Sequence, residues 1–147
     1  MLSWLFSRPL PVGAAAPDFS VCDDTGSTVR LSALRGKNVV LVFYPADDTP
    51  TCTKQLCEFR DDWDDALARD VKVFGVNPRN AQKHAEFRRK FHFQFPLLVD
   101  SGQKVARQYH ANGLVVKRTV YLIGPDGTVL FARRGKPNPS EVLAAAR

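Results

Sequence analysis

The chain predicts an α/β fold in which a central mixed β-sheet is flanked by helices, with a short N-terminal β extension ahead of it. Three observations carry this. Two apolar, β-branched runs, residues 38–44 and 71–76, are separated by one long amphipathic segment, the pattern of a right-handed βαβ unit with parallel pairing. Two later runs, residues 118–123 and 128–132, flank Gly124-Pro125-Asp126-Gly127 and read as a hairpin. A helical segment closes the chain. Alternating β and α followed by a hairpin and a helix is what a mixed sheet with helices on both faces accommodates.

Residues 18–22 and 28–31 read as short strands around the turn Asp23-Asp24-Thr25-Gly26, and they form the extension. Asn38-Val39-Val40-Leu41-Val42-Phe43-Tyr44 is a buried strand that Pro45 ends. Thr49 is then an N-cap and Pro50 a natural first helical residue, opening a helix that runs to about residue 69. On it Cys52, Leu56, Phe59, Trp63 and Leu67 make a buried stripe. A strand at 71–76, a helix at 80–91, a strand at 95–99 and a helix at 103–110 follow. The last helix begins near Ser140, with Pro139 before it.

The 147 residues suit one domain, residues 12–147, preceded by an extension at 1–11. Hydrophobic content of 44% and charged content of 24% are ordinary for a soluble globular protein. No apolar run approaches the roughly 20 residues that span a bilayer, so no membrane association is expected. Met1-Leu2-Ser3-Trp4-Leu5-Phe6 is apolar but lacks a basic n-region and is soon broken by Arg8, Pro9 and Pro11, while residues 14–16 mimic a cleavage site. The net charge of +6 does not by itself indicate a nucleic-acid partner. Its densest stretch, Arg88-Arg89-Lys90, shares a helix with Lys83 and reads as a solvated face. Three cysteines are too few for a disulfide scaffold and point to a reducing, cytoplasmic setting.

Cys52 falls in the first turn of its helix. A thiolate there meets unpaired backbone N–H groups and the positive end of the helix dipole, both of which favour the anion. Cys57 is rotated by about 140° and displaced by about 7.5 Å along the axis, on the polar side with Arg60, Asp61 and Asp64. A bond between the two sulfurs would exceed the usual Cα separation of roughly 7 Å unless the first turns unwound. Cys-x₄-Cys is not usual zinc spacing, and His84, His92 and His110 form no paired ligand set, so no metal site is expected. Local evidence alone leaves Cys52 open as a small core hydrophobe, Thr49 as a cap only and Arg118 as a surface arginine.

Pro45-x-x-x-Thr49-x-x-Cys52 resembles the signature of the peroxiredoxins, thiol peroxidases with a thioredoxin-like fold, and Cys57 matches the resolving position of the bacterioferritin-comigratory-protein/PrxQ subfamily. Phe43-Tyr44-Pro45, Cys57-Glu58-Phe59-Arg60-Asp61 and the opening at residues 12–19 are similar to that subfamily as well. The match to the opening argues against cleavage at the alanines.

The resemblance implies that Cys52 is the peroxidatic cysteine and Cys57 the resolving one. Thr49 would hydrogen-bond the sulfur and the peroxide, Pro45 would shield the pocket, and Arg118 would stabilise the thiolate and polarise the O–O bond. It also implies hydroperoxide substrates, an intramolecular disulfide and recycling by thioredoxin or a similar dithiol, in a monomer or weak dimer. The alternative is a thiol–disulfide oxidoreductase or a redox-sensing module on the same fold. Thr51 stands where the subfamily usually has Gly, and Asp47 and Asp48 are expected to oppose the thiolate unless they point to solvent. Cys22 reads as an inert thiol near a sheet edge.

Overall fold

A computed structural model describes residues 7–147, so the first six residues of the segment read as an extension lie outside the described residues. Strands β1 (Ser20–Cys22) and β2 (Thr28–Arg30) pair antiparallel as a small separate sheet. The main sheet contains β3 (Asn38–Phe43), β4 (Val71–Asn77), β5 (Leu97–Val99), β6 (Thr119–Ile123) and β7 (Val129–Arg134). Their order across it is β5-β4-β3-β6-β7. β3 pairs parallel with β4, and β4 with β5, while β3–β6 and β6–β7 are antiparallel, which is the mixed sheet expected from the alternation.

Helices α1 (Pro50–Asp61), α2 (Trp63–Ala68), α3 (Ala81–Phe91), α4 (Lys104–Gln108) and α5 (Pro139–Leu143) cover the sheet. β3 is buried along its whole length, because its alternate side chains serve two cores. Val40 and Val42 join Tyr44, Leu56, Phe59, Phe87 and Val142 on one side. Leu41 and Phe43 join Phe19, Val105, Tyr109 and Tyr121 on the other.

Three expectations need correction. The helix read as continuous over 50–69 is broken at Asp62, whose φ of −92° and ψ of 19° turn the chain between α1 and α2. That turn shifts the register of the second segment, so Ala66 packs into the core and Leu67 is 60% exposed. Arg88, read as part of a solvated face, instead donates to the Phe93 and Gln94 carbonyls and pairs with Asp24, tying α3 to the β1–β2 turn. The last helix starts one residue early, at Pro139, because the Asn138 side chain accepts from the Ser140 N–H and caps it.

Candidate active site

Sheet register brings the site together. Phe43 pairs with Thr119 at the end of β3 from which the chain runs into α1. Arg118, the residue before Thr119, therefore lies beside the start of α1. Its Nη2 donates to Cys52 Sγ at 3.2 Å and its Nη1 donates to Gln55 Oε1 at 2.8 Å. Cys52 is 1% exposed and Arg118 half-buried, so the sulfur end of this contact is shielded from water, which strengthens the pull of the cation on it. Gln55 Nε2 in turn donates to the Gly135 carbonyl at 3.3 Å, and the Gly135 N–H donates to the Arg118 carbonyl at 2.8 Å. Arg118 is thus held at its guanidinium by Gln55 and at its main-chain carbonyl by Gly135, in a closed ring of hydrogen bonds. All three cysteines are free thiols.

Thr49 is the N-cap of α1, with extended φ and ψ of −100° and 152°, and its carbonyl accepts from the Thr53 N–H at 2.8 Å. Its hydroxyl makes no cap bond. It donates to the Ala46 carbonyl at 3.1 Å, closing the loop that begins at Pro45 rather than reaching the sulfur. Pro45 is half-buried behind that loop. The N–H groups of Thr51 and Cys52 lie in the first helical turn, where an α-helix offers them no internal acceptor.

The two loop acids part ways. Asp48, in a left-handed conformation with φ of 55°, turns outward to Lys90 at 2.8 Å. Asp47 turns inward, against the expectation that an acid harmless to the thiolate would face solvent. It accepts from Tyr44 Oη at 2.7 Å and lies 2.7 Å from His84 Nδ1. Burial, followed by the charge and hydrogen bond of Asp47 and by Cys52, holds the Tyr44 phenol well above its ordinary range. The Tyr44 ring packs on β4 where Gly75 leaves room, since a Cβ there would lie 3.1 Å from Tyr44 Cε1.

Cys57 has Arg60 and Asp61 beside it, as expected, but it is not simply solvated. It is half-buried against the core that contains Phe59 and Phe87, and burial raises its thiol despite the opposing pull of Arg60. Sequence reading missed Gln55 and His84. Gln55 carried a usable signal, since position i+3 from Cys52 shares its helix face. His84 carried none, because its partner is a loop residue 37 positions away. Cys22 is exposed on β1 and lines a cavity of about 760 Å³ with Lys104 and Arg107, away from Cys52.

Known proteins resemble this chain in sequence and in fold. The model of the AhpC/TSA family matches residues 12–132. Chloroplastic peroxiredoxin Q of Oryza sativa subsp. japonica is 36% identical over 133 residues, covering 88% of this chain and 61% of the rice protein. This chain therefore spans 61% of the length of that plant relative. Peroxiredoxin Bcp of Bacillus subtilis is 35% identical over 130 residues, covering 82% of this chain and 83% of its own. Among solved structures, peroxidoxin BcpB of Mycobacterium tuberculosis superposes with a TM-score of 0.86 at 34% identity, covering 92% of this chain and 96% of that one. Peroxiredoxin Q of Xanthomonas campestris gives a TM-score of 0.84 at 28% identity, covering 92% and 94%. The thioredoxin-like fold is common to these peroxiredoxins and this chain.

Proposed function

This chain belongs to the AhpC/TSA family, in its peroxiredoxin Q/Bcp branch, and on that footing we propose that it is a thiol peroxidase reducing hydrogen peroxide and organic hydroperoxides. The observation that carries the reading is the Arg118 guanidinium donating to a buried Cys52 sulfur at 3.2 Å. A cation fixed there stabilises the thiolate and faces the oxygens on which charge develops as the O–O bond breaks. The Xanthomonas campestris bacterioferritin comigratory protein, 28% identical, has alkyl peroxide reduction activity.

In this reading the Cys52 thiolate attacks the terminal peroxide oxygen. An S–O bond forms, the O–O bond breaks, and the departing oxygen takes a proton and leaves as water or an alcohol. The N–H groups of Thr51 and Cys52 add donors to the same oxygens, as does Thr49 once its hydroxyl swings away from the Ala46 carbonyl, with Pro45 shielding them. Cys57 then condenses with the sulfenic acid, releasing water and forming an intramolecular disulfide. The wound helix keeps the two apart, so its first turns must open, releasing the fully buried Leu56 at a cost of about 1.5–3 kcal/mol. Thioredoxin or a similar dithiol restores both thiols by exchange.

No metal or organic cofactor takes part. No helix among the described residues is long and apolar enough to cross a membrane, and we place the protein in the cytoplasm as a monomer or weak dimer. Mass spectrometry after one equivalent of peroxide tests the proposal: a Cys52–Cys57 link is expected, and linkage of neither sulfur overturns it.

A further inference from the structure

We propose that Asp47 and His84 form a positioning pair, neutral as a unit, that pins the loop before Cys52 and keeps its inward carboxylate from opposing the thiolate. This rests on the peroxidase reading and extends it to two residues that make no contact with the sulfur.

The argument is a count of protons. His84 Nε2 lies 3.1 Å from the Asn77 carbonyl oxygen and 3.0 Å from that of Leu98. Both are acceptors, so Nε2 carries a hydrogen. Nδ1 lies 2.7 Å from Asp47 Oδ2. With Nε2 already protonated, a neutral imidazole would turn its Nδ1 lone pair onto a carboxylate oxygen at that distance, which is repulsive. One further proton must lie between the two groups. Whether the pair is imidazolium with carboxylate or imidazole with carboxylic acid, its net charge is zero. Water cannot supply this neutralisation, because the His84 side chain is fully buried and that of Asp47 nearly so.

The charge matters because of where it sits. Asp47 and Cys52 both act on the Tyr44 phenol, which places loop acid and nucleophile within one electrostatic neighbourhood. An unpaired carboxylate in that low-dielectric setting would resist a second anion beside it. Arg79, Lys83, Glu86 and Lys90 line a cleft with Asp47, but Lys83 pairs with Glu86 and Lys90 with Asp48, and the ion-pair contact to the buried Asp47 carboxylate comes from His84. Tyr44 donates a neutral hydrogen bond, β4 and β5 present carbonyls, and Asp48 is turned away to Lys90. Placement also matters. The partners of Asp47 come from the end of β3 and from α3, and His84 is anchored to β4 and β5. None of them lies on α1, so the loop carrying Thr49 stays pinned while the first turns of α1 unwind and rewind.

The test is the second-order rate of Cys52 oxidation by hydrogen peroxide, followed by stopped flow in the wild type, His84→Leu and the double variant His84→Leu/Asp47→Asn. The single variant leaves a buried carboxylate uncompensated and is expected to slow the reaction about tenfold or more. The double variant removes that charge and is expected to recover most of the loss. A single variant as fast as the wild type overturns the proposal, as does a double variant no faster than the single, since packing alone would then explain the effect. Should His84→Leu fail to fold, NMR of the wild type at neutral pH decides. An imidazolium or a protonated Asp47 carboxyl supports the pair, and a neutral imidazole beside an ionised carboxylate overturns it. A wild-type protein that does not consume peroxide would instead sink the peroxidase reading and leave the NMR result standing.

Discussion

At the first turn of α1, Cys52 is buried and its sulfur accepts a hydrogen bond from Arg118. Five residues on, Cys57 is half-buried beside apolar side chains, and burial favours its protonated form. The two thiols share a helix and differ in what faces them. One meets a fixed cation and the open donors of a helix start. The other meets hydrocarbon, with Arg60 near but turned to Asp61 and the Phe91 carbonyl. Ionised sulfur is the reactive species in both peroxide attack and thiol–disulfide chemistry. In the proposed cycle this contrast sets an order: Cys52 attacks from the wound helix, and Cys57 acts once the helix opens.

The comparison breaks first at Cys52. Peroxide consumption by Cys52→Ser, measured in a coupled assay with a dithiol reductant, is expected to fall to background, and retained turnover would mean another group attacks. Arg118→Ala removes the cation that distinguishes the two sites. A loss of about 10²–10³ in kcat/KM is expected, the effect of deleting one preorganised donor to a developing charge. Arg118→Lys should recover little, because an ammonium cannot donate to Cys52 and Gln55 from one rigid fork. Cys57→Ser is expected to cut multiple turnover more than about tenfold while leaving one turnover intact. Rapid multiple turnover without Cys57 would show a one-cysteine cycle.

Smaller effects sharpen the contrast. Gln55→Leu deletes a hydrogen bond to the guanidinium and should cost about tenfold in kcat/KM, the value of one charge-assisted bond of roughly 1.5 kcal/mol. Cys57 supplies a pH test. Its proton is held more tightly in the wound helix than in the unwound one, so the wound form has its full advantage below the ordinary cysteine value of about 8.5. That advantage declines as pH rises through the raised value. Disulfide formation after stoichiometric peroxide should therefore accelerate a few-fold between about pH 7.5 and 9.5. A rate independent of pH across that range would mean that Cys57 is not restrained by burial.

Much of this was legible in the chain. The strand that ends at Pro45, the helix opened by Pro50 and the turn at residues 124–127 are local events, written in apolar runs and in proline and glycine placement. The helix break at Asp62 was not, because Leu67 and Ala66 both suit a helix and only the turn at Asp62 fixes which of them is buried. Arg118 had meaning only through resemblance, since nothing near it in sequence marks it.

By itself the sequence determined which segments become strands and helices, and it set Cys52 at a helix start with a second thiol on the same helix. Tertiary structure alone decided that an arginine 66 residues away would reach that sulfur, through the pairing of Phe43 with Thr119. It also decided that Asp47 would turn inward to His84, and that Cys57 would lie against the core. The reason is physical. Backbone preference and periodicity act over a few residues, whereas charge and burial depend on whichever groups the folded sheet brings to a point.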